Sequence, residues 1–370
     1  MICFFFILCL LLASNFKIYK NGYCTAYLDK YHCNTIKGFF IGIVFLNHFT
    51  DYAKLNNYLD IPYMHFMHYI NQFQVSLFLF YSGYGLMISI MKKGIPYIKK
   101  MPSHRIIRTL IHFDIAVTIY LMISIYKTGV PSFKDVVLGY IGWGGFGNSN
   151  WYIFAILILW IISFIVFYIF KTNKYVLQLS LTVLFIIVFA YLISFYKPSY
   201  WYNTLLCFPL GMYFALFKDK IEELLLKKIN VWLYWCILMS LGGGTYILGK
   251  YQSNFYCYEI WVLLFTVFVV LFTMRFEFNN TILNWMGKHL FEIYILMRIP
   301  MLLLQPYFYG HNYRFLIISA SITWLLVIIF TPYIIFINLL NAPFFSFFHK
   351  PKKLSRGISL HRMPKITGFP

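Results

Sequence analysis

Residues 153–170 read IFAILILWIISFIVFYIF and include no charged side chain. At 1.5 Å per residue, a helix of this length spans about 27 Å, close to the thickness of the hydrocarbon core of a bilayer. Apolar and polar residues do not alternate in it, which argues against a strand of a membrane barrel. Because backbone polar groups in lipid must bond within their own segment, the stretch predicts a transmembrane helix.

Similar stretches recur along the whole chain of 370 residues, of which 61% are hydrophobic and only 11% are charged. A water-soluble fold with this composition would lack the polar residues that cover a surface. We therefore predict an all-α fold, a polytopic transmembrane bundle of about ten or eleven helices. The predicted spans are approximately residues 1–16, 36–53, 73–91, 109–126, 150–170, 175–195, 203–217, 230–249, 256–274, 285–305 and 315–340.

The net charge of +20 is distributed unevenly between alternate gaps of this bundle. Gaps of one parity contain 23 Lys and Arg residues, and gaps of the other parity contain six. An excess of basic residues marks cytoplasmic loops, so the charges are interpreted as topology signals rather than as a nucleic-acid-binding surface. We expect a multi-pass protein of the cell membrane with lipid as its surroundings, a cytoplasmic C-terminus and no nucleic-acid partner.

The first predicted span is short and lacks the basic n-region and the small-residue cleavage site of a signal peptide. We interpret it as an anchor that places the N-terminus outside; without it, ten helices remain. The expected organisation is an anchor and cytoplasmic linker over residues 1–35, a transmembrane domain over residues 36–343 and a basic cytoplasmic tail over residues 344–370.

The seven cysteines form no C-x-x-C pair and none of the usual zinc spacings. Their pattern therefore predicts neither a disulfide framework nor a metal site. Most are expected to be small apolar packing residues.

His48 is the first candidate for catalysis, because ionisable side chains inside a bilayer are costly and often functional. In KGFFIGIVFLNH it follows Lys37 by eleven positions, roughly 16 Å deeper along a helix. Asp51, at i+3, would accept the ring N–H of His48 and fix its tautomer for general-base catalysis. The alternatives are that His48 bonds between helices and that Asp51 marks the outer end of its helix.

A second candidate site lies in the cytoplasmic gap MKKGIPYIKKMPSHRIIR. Arg105 and Arg108 are three residues apart, so they are neighbours on the first turn of the next helix. Arginine binds phosphate in a bidentate manner, which would suit a nucleotide-bearing cofactor. The alternative, contact with anionic lipid, suits the surrounding lysines better.

Both sites coincide with motifs of the acyltransferase-3 family, a basic residue followed after ten positions by His, and a cytoplasmic Arg-x-x-Arg. Four other segments also resemble family motifs, in the family's order, and the resemblance runs from about residue 37 to residue 343. They are FQVSLFLFYSGYGLMI with Ser82, Gly83 and Tyr84, NSNWYIFAILILWI with Trp151 and Tyr152, LLCFPLGMYFALF with Gly211, and MGKHLFEIYILMRIPM with Gly287, Lys288 and Tyr294.

The resemblance implies an O-acyltransferase that takes an acyl group, usually acetyl from acetyl-CoA, to a hydroxyl of a cell-surface or lipid-linked glycan. His48 and Asp51 would be catalytic, with His48 either deprotonating the acceptor hydroxyl or briefly carrying the acyl group itself. The residues expected to bind the cofactor are Lys37, Arg105 and Arg108, and those expected to bind the acceptor are Tyr84, Trp151, Tyr294 and Arg298. No metal is expected. The chain would acylate its acceptor directly, or a separate polysaccharide-biosynthesis protein would complete the transfer.

Arg298 departs from the family pattern, which often has His after the late Tyr, here Tyr294. Arg298 would bind an anionic group or pair with an intramembrane acid such as Glu292 or Glu259. For Trp151, the membrane-interface aromatic belt is the alternative to a sugar platform.

Two other classes of function fit a protein with many helices and scattered intramembrane charges. One is a polysaccharide transporter, flippase or polymerase, which broken helices in two corresponding halves of the chain would favour. The other is an inactive assembly partner, which the replacement at Arg298 keeps open. Binding of the acyl donor separates all three classes.

Overall fold

The computed structural model describes residues 1–347 except 21, 56, 59, 71 and 171–173, and it describes residues 333–347 by their backbone alone. Lys171 and the basic tail beyond residue 347 therefore lie outside the described residues. The helices are α1 (Ile2–Ala13), α2 (Lys30–Thr50), α3 (Asp60–Ile70), α4 (Phe73–Met101), α5 (Arg108–Thr128), α6 (Phe133–Tyr140), α7 (Trp151–Ile169), α8 (Tyr175–Ser194), α9 (Cys207–Glu222), α10 (Val231–Gly249), α11 (Phe255–Arg275), α12 (Thr281–Lys288), α13 (Leu290–Leu296), α14 (Arg298–Phe308) and α15 (Asn312–Phe347). Two strands, β1 (Phe16–Ile18) and β2 (Phe276–Phe278), pair antiparallel.

The predicted all-α membrane bundle is confirmed, because each predicted span coincides with a helix or, for residues 285–305, with the consecutive helices α12, α13 and α14. Seven helical stretches among the described residues are long and apolar enough to cross a membrane. One of them, Asp60–Thr128, includes α3, α4 and α5. The total of ten or eleven spans stays a prediction.

Hydrogen bonds between residues far apart in the sequence assign the loops and helix ends to two ends of the bundle, as alternating spans require. We call one the His48 end, where such bonds join Asn312 to Lys54, Lys127 to Leu302, Lys197 to Trp143 and Tyr69 to Thr245. We call the other the Arg105 end, where they join Tyr19 to Arg275, Asn280 to Ser14 and Asn284 to Tyr31. The charge pattern predicts that the Arg105 end is cytoplasmic.

Helix α1 extends between these two ends although it has only 12 residues, a length of about 18 Å. The amino group of Met1 lies 3.3 Å from Asp60 Oδ1 at the His48 end. Just beyond the helix, Ser14 accepts a hydrogen bond of 2.8 Å from Asn280 at the Arg105 end. Met1 therefore lies at the His48 end. An outer N-terminus and a full crossing of the bilayer by α1 stay predictions.

Glycines set the close packing of α4 against α9. A Cβ atom on Gly83 would collide with the carbonyl oxygen of Phe208, and one on Gly211 would collide with that of Phe80. Small residues let helix backbones approach closely in membrane proteins. These two glycines belong to the Ser-Gly-Tyr and Leu-Gly-Met segments, so packing explains both.

Close packing at glycines also fixes the position of α2, the helix that carries His48. A Cβ on Gly38 would meet the carbonyl oxygen of Leu283, and one on Gly287 would meet that of Asn34. Helix α2 therefore lies against α12 at backbone distance along its first half. This contact sets the height and rotation of α2 in the bundle.

Residues 14–29, which we call the N-terminal strap, cover the Arg105 end and are held by β2. Tyr19 donates a hydrogen bond of 2.5 Å to Glu277 Oε2, and Asn279 donates one of 2.8 Å to Glu277 Oε1. These bonds, that of Tyr19 first, lower the pKa of Glu277 below its ordinary value. A carboxylate at this position is therefore ionised at neutral pH.

Candidate active site

His48 lies in the last turn of α2, and its side chain is half-buried. Its Nε2 lies 3.2 Å from the hydroxyl oxygen of Ser149, a hydrogen bond whose direction depends on the tautomer. Its Nδ1 lies 3.9 Å from Asp51 Oδ2, which is an ion-pair separation rather than a hydrogen bond. The imidazole is thus directed at a hydroxyl on one side and at a carboxylate on the other.

Ser149 reaches His48 on a glycine-rich loop between α6 and α7. The backbone of Gly142 and Gly147 has φ angles of 77° and 94°, a left-handed region that favours glycine. The side chain of Asn150 closes the loop by donating to the carbonyl oxygens of Gly142 and Gly144. These turns hold Ser149 with only 4% of its surface exposed.

The same loop is fastened from outside by Lys197, which donates a 2.7 Å hydrogen bond to the carbonyl oxygen of Trp143. The ammonium lies 4.3 Å from the ring centres of both Trp143 and Trp201. Burial against these rings lowers the pKa of Lys197 below its ordinary value. Aromatic residues at this end therefore serve to hold the loop that carries Ser149.

Tyr294 forms the inner wall of the site. Its ring centre lies 6.4 Å from that of His48 and 5.4 Å from that of Tyr152, both in edge-on contact. The Tyr294 hydroxyl is buried near Ser149 and the backbone of Tyr152, but it makes no hydrogen bond of ordinary geometry to a described residue. Since a buried hydroxyl without a partner costs free energy, Tyr294 has a donor to offer a bound molecule.

Arg298 faces the same site from the start of α14. Its Nη2 donates a hydrogen bond of 2.9 Å to Asp51 Oδ2, and its Nε donates one of 2.9 Å to the Tyr52 hydroxyl. The guanidinium also lies 5.3 Å from the centre of the Tyr52 ring. Arg298 and Asp51 thus form a charge pair beside His48, with Asp51 more than half exposed.

A break in the helix gives Arg298 this position. Pro300 has no N–H group, so it cannot bond the carbonyl oxygen of Leu296 one turn earlier. Helix α13 ends at Leu296 and α14 begins at Arg298. The side chain of Arg298 therefore lies level with the end of α2, where Asp51 is the C-terminal cap.

One expectation about these charges needs correction. The acid that pairs with Arg298 is Asp51, rather than Glu292 or Glu259, because Asp51 caps the neighbouring helix end. Glu292 Oε2 is buried and has no hydrogen-bond partner among the described residues. Asp51 does mark the end of α2, and its closest charged neighbour is Arg298 at 2.9 Å, whereas the His48 ring nitrogen is 3.9 Å away.

The predicted cofactor-binding arginines lie at the opposite end of the bundle. Arg105 belongs to the π-helical turn Pro102–Ile107 that precedes α5, and Arg108 is the first residue of α5 and is exposed. The Arg105 guanidinium lies 5.2 Å from the centre of the Trp160 ring, and Trp160 donates a 3.2 Å hydrogen bond to Ser82. Arg105 is therefore directed toward the bundle between α4 and α7.

Helix α7 gives the distance along the bundle axis between the Arg105 and His48 sites. Trp160 follows Trp151 by nine residues, or about 14 Å along the helix axis. Ser149, beside His48, immediately precedes the same helix. Arg105 and His48 are thus separated by about half the hydrocarbon thickness along the bundle.

Lys37 lies at a similar depth on α2, eleven residues before His48. It is half-buried, and its ammonium makes no hydrogen bond or ion pair with the part of the chain that the structure describes. A buried ammonium without a partner is costly, so this position favours a bound anion.

The other predicted substrate residues are divided between the two sites. Trp151 starts α7 and contacts Tyr152, with ring centres 6.2 Å apart, so it adjoins the aromatic wall of the His48 site. Tyr84 lies eleven residues into α4, about 16 Å from the His48 end, and packs on Phe214. Tyr84 therefore does not join the His48 cluster, because α4 carries it toward the Arg105 end.

Residues 26–341 match the acyltransferase-3 family model, which is described as an acyltransferase domain. The chain belongs to the acyltransferase-3 family. It is therefore a membrane acyltransferase with a multi-pass helical bundle, and the resemblance seen in the sequence is confirmed over most of the chain. The comparisons with curated proteins and with solved structures find no significant match.

Two residues of this acyltransferase site were missed by sequence reasoning. Ser149 stands two positions before Trp151 inside a recognised family segment, so its place in that segment was an available signal. Tyr52 follows Asp51 directly, but nothing in the sequence indicates that it bonds a residue 246 positions away. Both acquire their role through long-range packing.

Proposed function

We propose that this acyltransferase moves an acetyl group from acetyl-CoA at the Arg105 end to a hydroxyl of a cell-surface or lipid-linked glycan at the His48 end. The contact of His48 Nε2 with the Ser149 hydroxyl carries the proposal. The contact directs an imidazole nitrogen at a hydroxyl 3.2 Å away. An acceptor hydroxyl that replaced Ser149 there would have the arrangement that general-base activation of an alcohol requires.

Cations at the Arg105 end support binding of the donor there. Arg105 and Arg108 would hold the phosphates of acetyl-CoA, and the unpartnered ammonium of Lys37 lies at a similar depth on α2. An extended acyl-bearing arm would then bridge the roughly 14 Å of helix α7 between Trp160 and the level of Ser149. The bundle would supply the orientation of the reacting groups.

In the chemical step, His48 would take the proton of the acceptor hydroxyl as the acceptor oxygen attacks the thioester carbonyl carbon. A carbon–oxygen bond forms, the carbon–sulfur bond breaks, and coenzyme A leaves as the thiolate. The protonated imidazole then returns its proton to that sulfur. In this scheme the acyl group passes to the acceptor without a residue carrying it.

The surrounding residues would stabilise this step. The buried Tyr294 hydroxyl, which lacks a partner of ordinary hydrogen-bond geometry among the described residues, is suited to donate to the oxyanion that forms on the thioester carbonyl. Arg298 would add positive charge at the same end, while Asp51 and Tyr52 fix its direction.

The proposal is tested by proton NMR of surface polysaccharide from a strain that lacks this chain and from its parent. The parent polysaccharide should contain O-acetyl signals that the deletion removes and that the wild-type chain restores. His48→Ala at equal membrane level should fail to restore them. Restoration by His48→Ala would exclude His48 from the reaction, and unchanged signals in the deletion strain would exclude this class of acceptor.

A further inference from the structure

Three potential metal ligands from distant parts of the chain meet beneath the N-terminal strap. They are Cys24 of the strap, His32 in the first turn of α2 and Glu277 of β2. One ligand atom of each lies within 4.8 Å of the other two. The cluster is at the Arg105 end and shares no residue with the candidate active site.

The orientation of His32 is typical of a metal-bound histidine. Its Nδ1 lies 2.7 Å from Asp29 Oδ1, the contact made when Nδ1–H donates to the carboxylate, as in a histidine that binds metal through Nε2. Nε2 then has its lone pair directed into the cluster, where it is buried and makes no hydrogen bond to a described residue. A carboxylate that orients the far nitrogen of a ligating histidine is the usual second partner in zinc sites.

The other two ligands are held before any ion binds. The Cys24 backbone N–H donates to the carbonyl oxygen of Met274 at 2.8 Å, and the residue is only 3% exposed. Glu277 is held by Tyr19 and Asn279. Building this site therefore requires little reordering of the chain.

The distances and charges suit zinc. Glu277 Oε1 lies 3.5 Å from His32 Nε2, close to the roughly 3.4 Å that separates two ligands on a tetrahedral ion with bonds of about 2.1 Å. Sulfur from Cys24 favours zinc over magnesium or calcium, which prefer oxygen ligands. One thiolate and one carboxylate would neutralise a divalent ion.

We propose that Cys24, His32 and Glu277 bind one zinc ion that fastens the N-terminal strap to β2, with water as the fourth ligand. Asp29 is a positioning residue for His32. Binding releases the Cys24 thiol proton to solvent as the zinc–sulfur bond forms. The cysteine spacing predicted no metal site because Glu277 is far from the other two ligands in sequence.

The test measures metal in the purified full-length protein in detergent. After incubation with zinc and dialysis, mass spectrometry should find about one zinc per chain, as a single three-residue site requires. Cobalt should give the thiolate-to-metal absorption band that a cysteine ligand produces. Cys24→Ser should remove this band, whereas Cys33→Ser, a buried cysteine outside the cluster, should keep it.

A second variant keeps the test decisive if Cys24→Ser fails to fold. Asp29→Asn retains an oxygen for the helix cap at His32 N–H but loses the carboxylate, and it should weaken zinc binding about 10- to 100-fold. Zinc in fewer than about one chain in ten of the wild-type protein would overturn the proposal, because a stable site of this kind fills nearly completely. An unchanged cobalt band in Cys24→Ser would overturn it as well.

Discussion

The candidate sites at the two ends of the bundle differ in how their charges are satisfied. At the His48 end, Arg298 is paired with Asp51 at 2.9 Å and bonded to Tyr52, and His48 contacts Ser149. At the Arg105 end, the Lys37 ammonium has no partner among the described residues. Arg105 is placed over an aromatic ring rather than against a carboxylate.

The two sites are therefore suited to different tasks. A network whose members already bond one another holds reacting groups in fixed geometry. Cations that lack acidic partners are instead available to a ligand that supplies the negative charge. Variants at the first end should therefore change the rate of transfer, and variants at the second should change the donor concentration that is needed.

The largest effect is expected for His48→Ala. Loss of the general base should lower the rate of acetyl transfer by about 10²- to 10⁴-fold without raising KM for acetyl-CoA. The assay follows radiolabel from acetyl-CoA into polysaccharide prepared from a deletion strain. His65→Ala, an exposed histidine of α3, is the matched control and should keep the wild-type rate. A wild-type rate in His48→Ala would refute the catalytic assignment.

Arg298→Ala should lower the transfer rate by about 100-fold, because it removes a fixed positive charge beside the reacting groups. Asp51→Asn should lower the transfer rate by a smaller factor. The double variant should be only slightly slower than Arg298→Ala, since the two residues act as a pair. A double-mutant cycle of transfer rates measures this coupling. Strictly additive effects would show that the 2.9 Å contact has no role in catalysis.

Arg105→Ala should raise KM for acetyl-CoA about tenfold with little change in kcat, which corresponds to the loss of about 1.4 kcal/mol of binding. Lys99→Ala, an exposed lysine at the same end, serves as the control for general positive charge. Equal changes in KM for the two variants would assign the effect to overall charge rather than to a phosphate site.

The smallest effect is expected for Ser149→Ala. Removal of one neutral hydrogen bond to His48 should slow transfer by about 3- to 10-fold, since such a bond contributes roughly 0.5–1.5 kcal/mol. Ser149→Thr, which retains a hydroxyl, should recover part of the rate. A loss of transfer rate as large as that of His48→Ala would contradict the role of Ser149 as a hydrogen-bond partner of His48. It would identify Ser149 as a covalent carrier of the acyl group.

Much of the fold follows from the sequence because apolar length determines where helices form in a lipid environment. The run at residues 153–170 was assigned to a span of 150–170, and helix α7 covers Trp151–Ile169. Helices α3 and α6 and the strands β1 and β2 were missed, since short elements depend on partners far away in the chain. The motif glycines Gly83 and Gly211 were recognised by resemblance, but only the packing explains them.

For the candidate active site, residues close together within one helix could be predicted from their spacing, whereas contacts between helices could not. His48 and Asp51 are three residues apart, so their proximity could be predicted, whereas the stronger bond of Asp51 to Arg298 crosses 247 positions. The three proposed zinc ligands could not be predicted from the sequence either, because Glu277 is far from Cys24 and His32 along the chain. The break that positions Arg298 could have been anticipated from Pro300, which interrupts the hydrogen bonds of the preceding turn.

The central claim is that the donor binds at the Arg105 end and transfer takes place at the His48 end. It is tested most directly with membrane vesicles of both orientations, prepared from a strain that expresses the chain and supplied with radiolabelled acetyl-CoA, which does not cross the bilayer. The account predicts labelled glycan only in inside-out vesicles, where the predicted cytoplasmic end faces the medium. Equal labelling in right-side-out vesicles, which expose the His48 end to the donor, would contradict it.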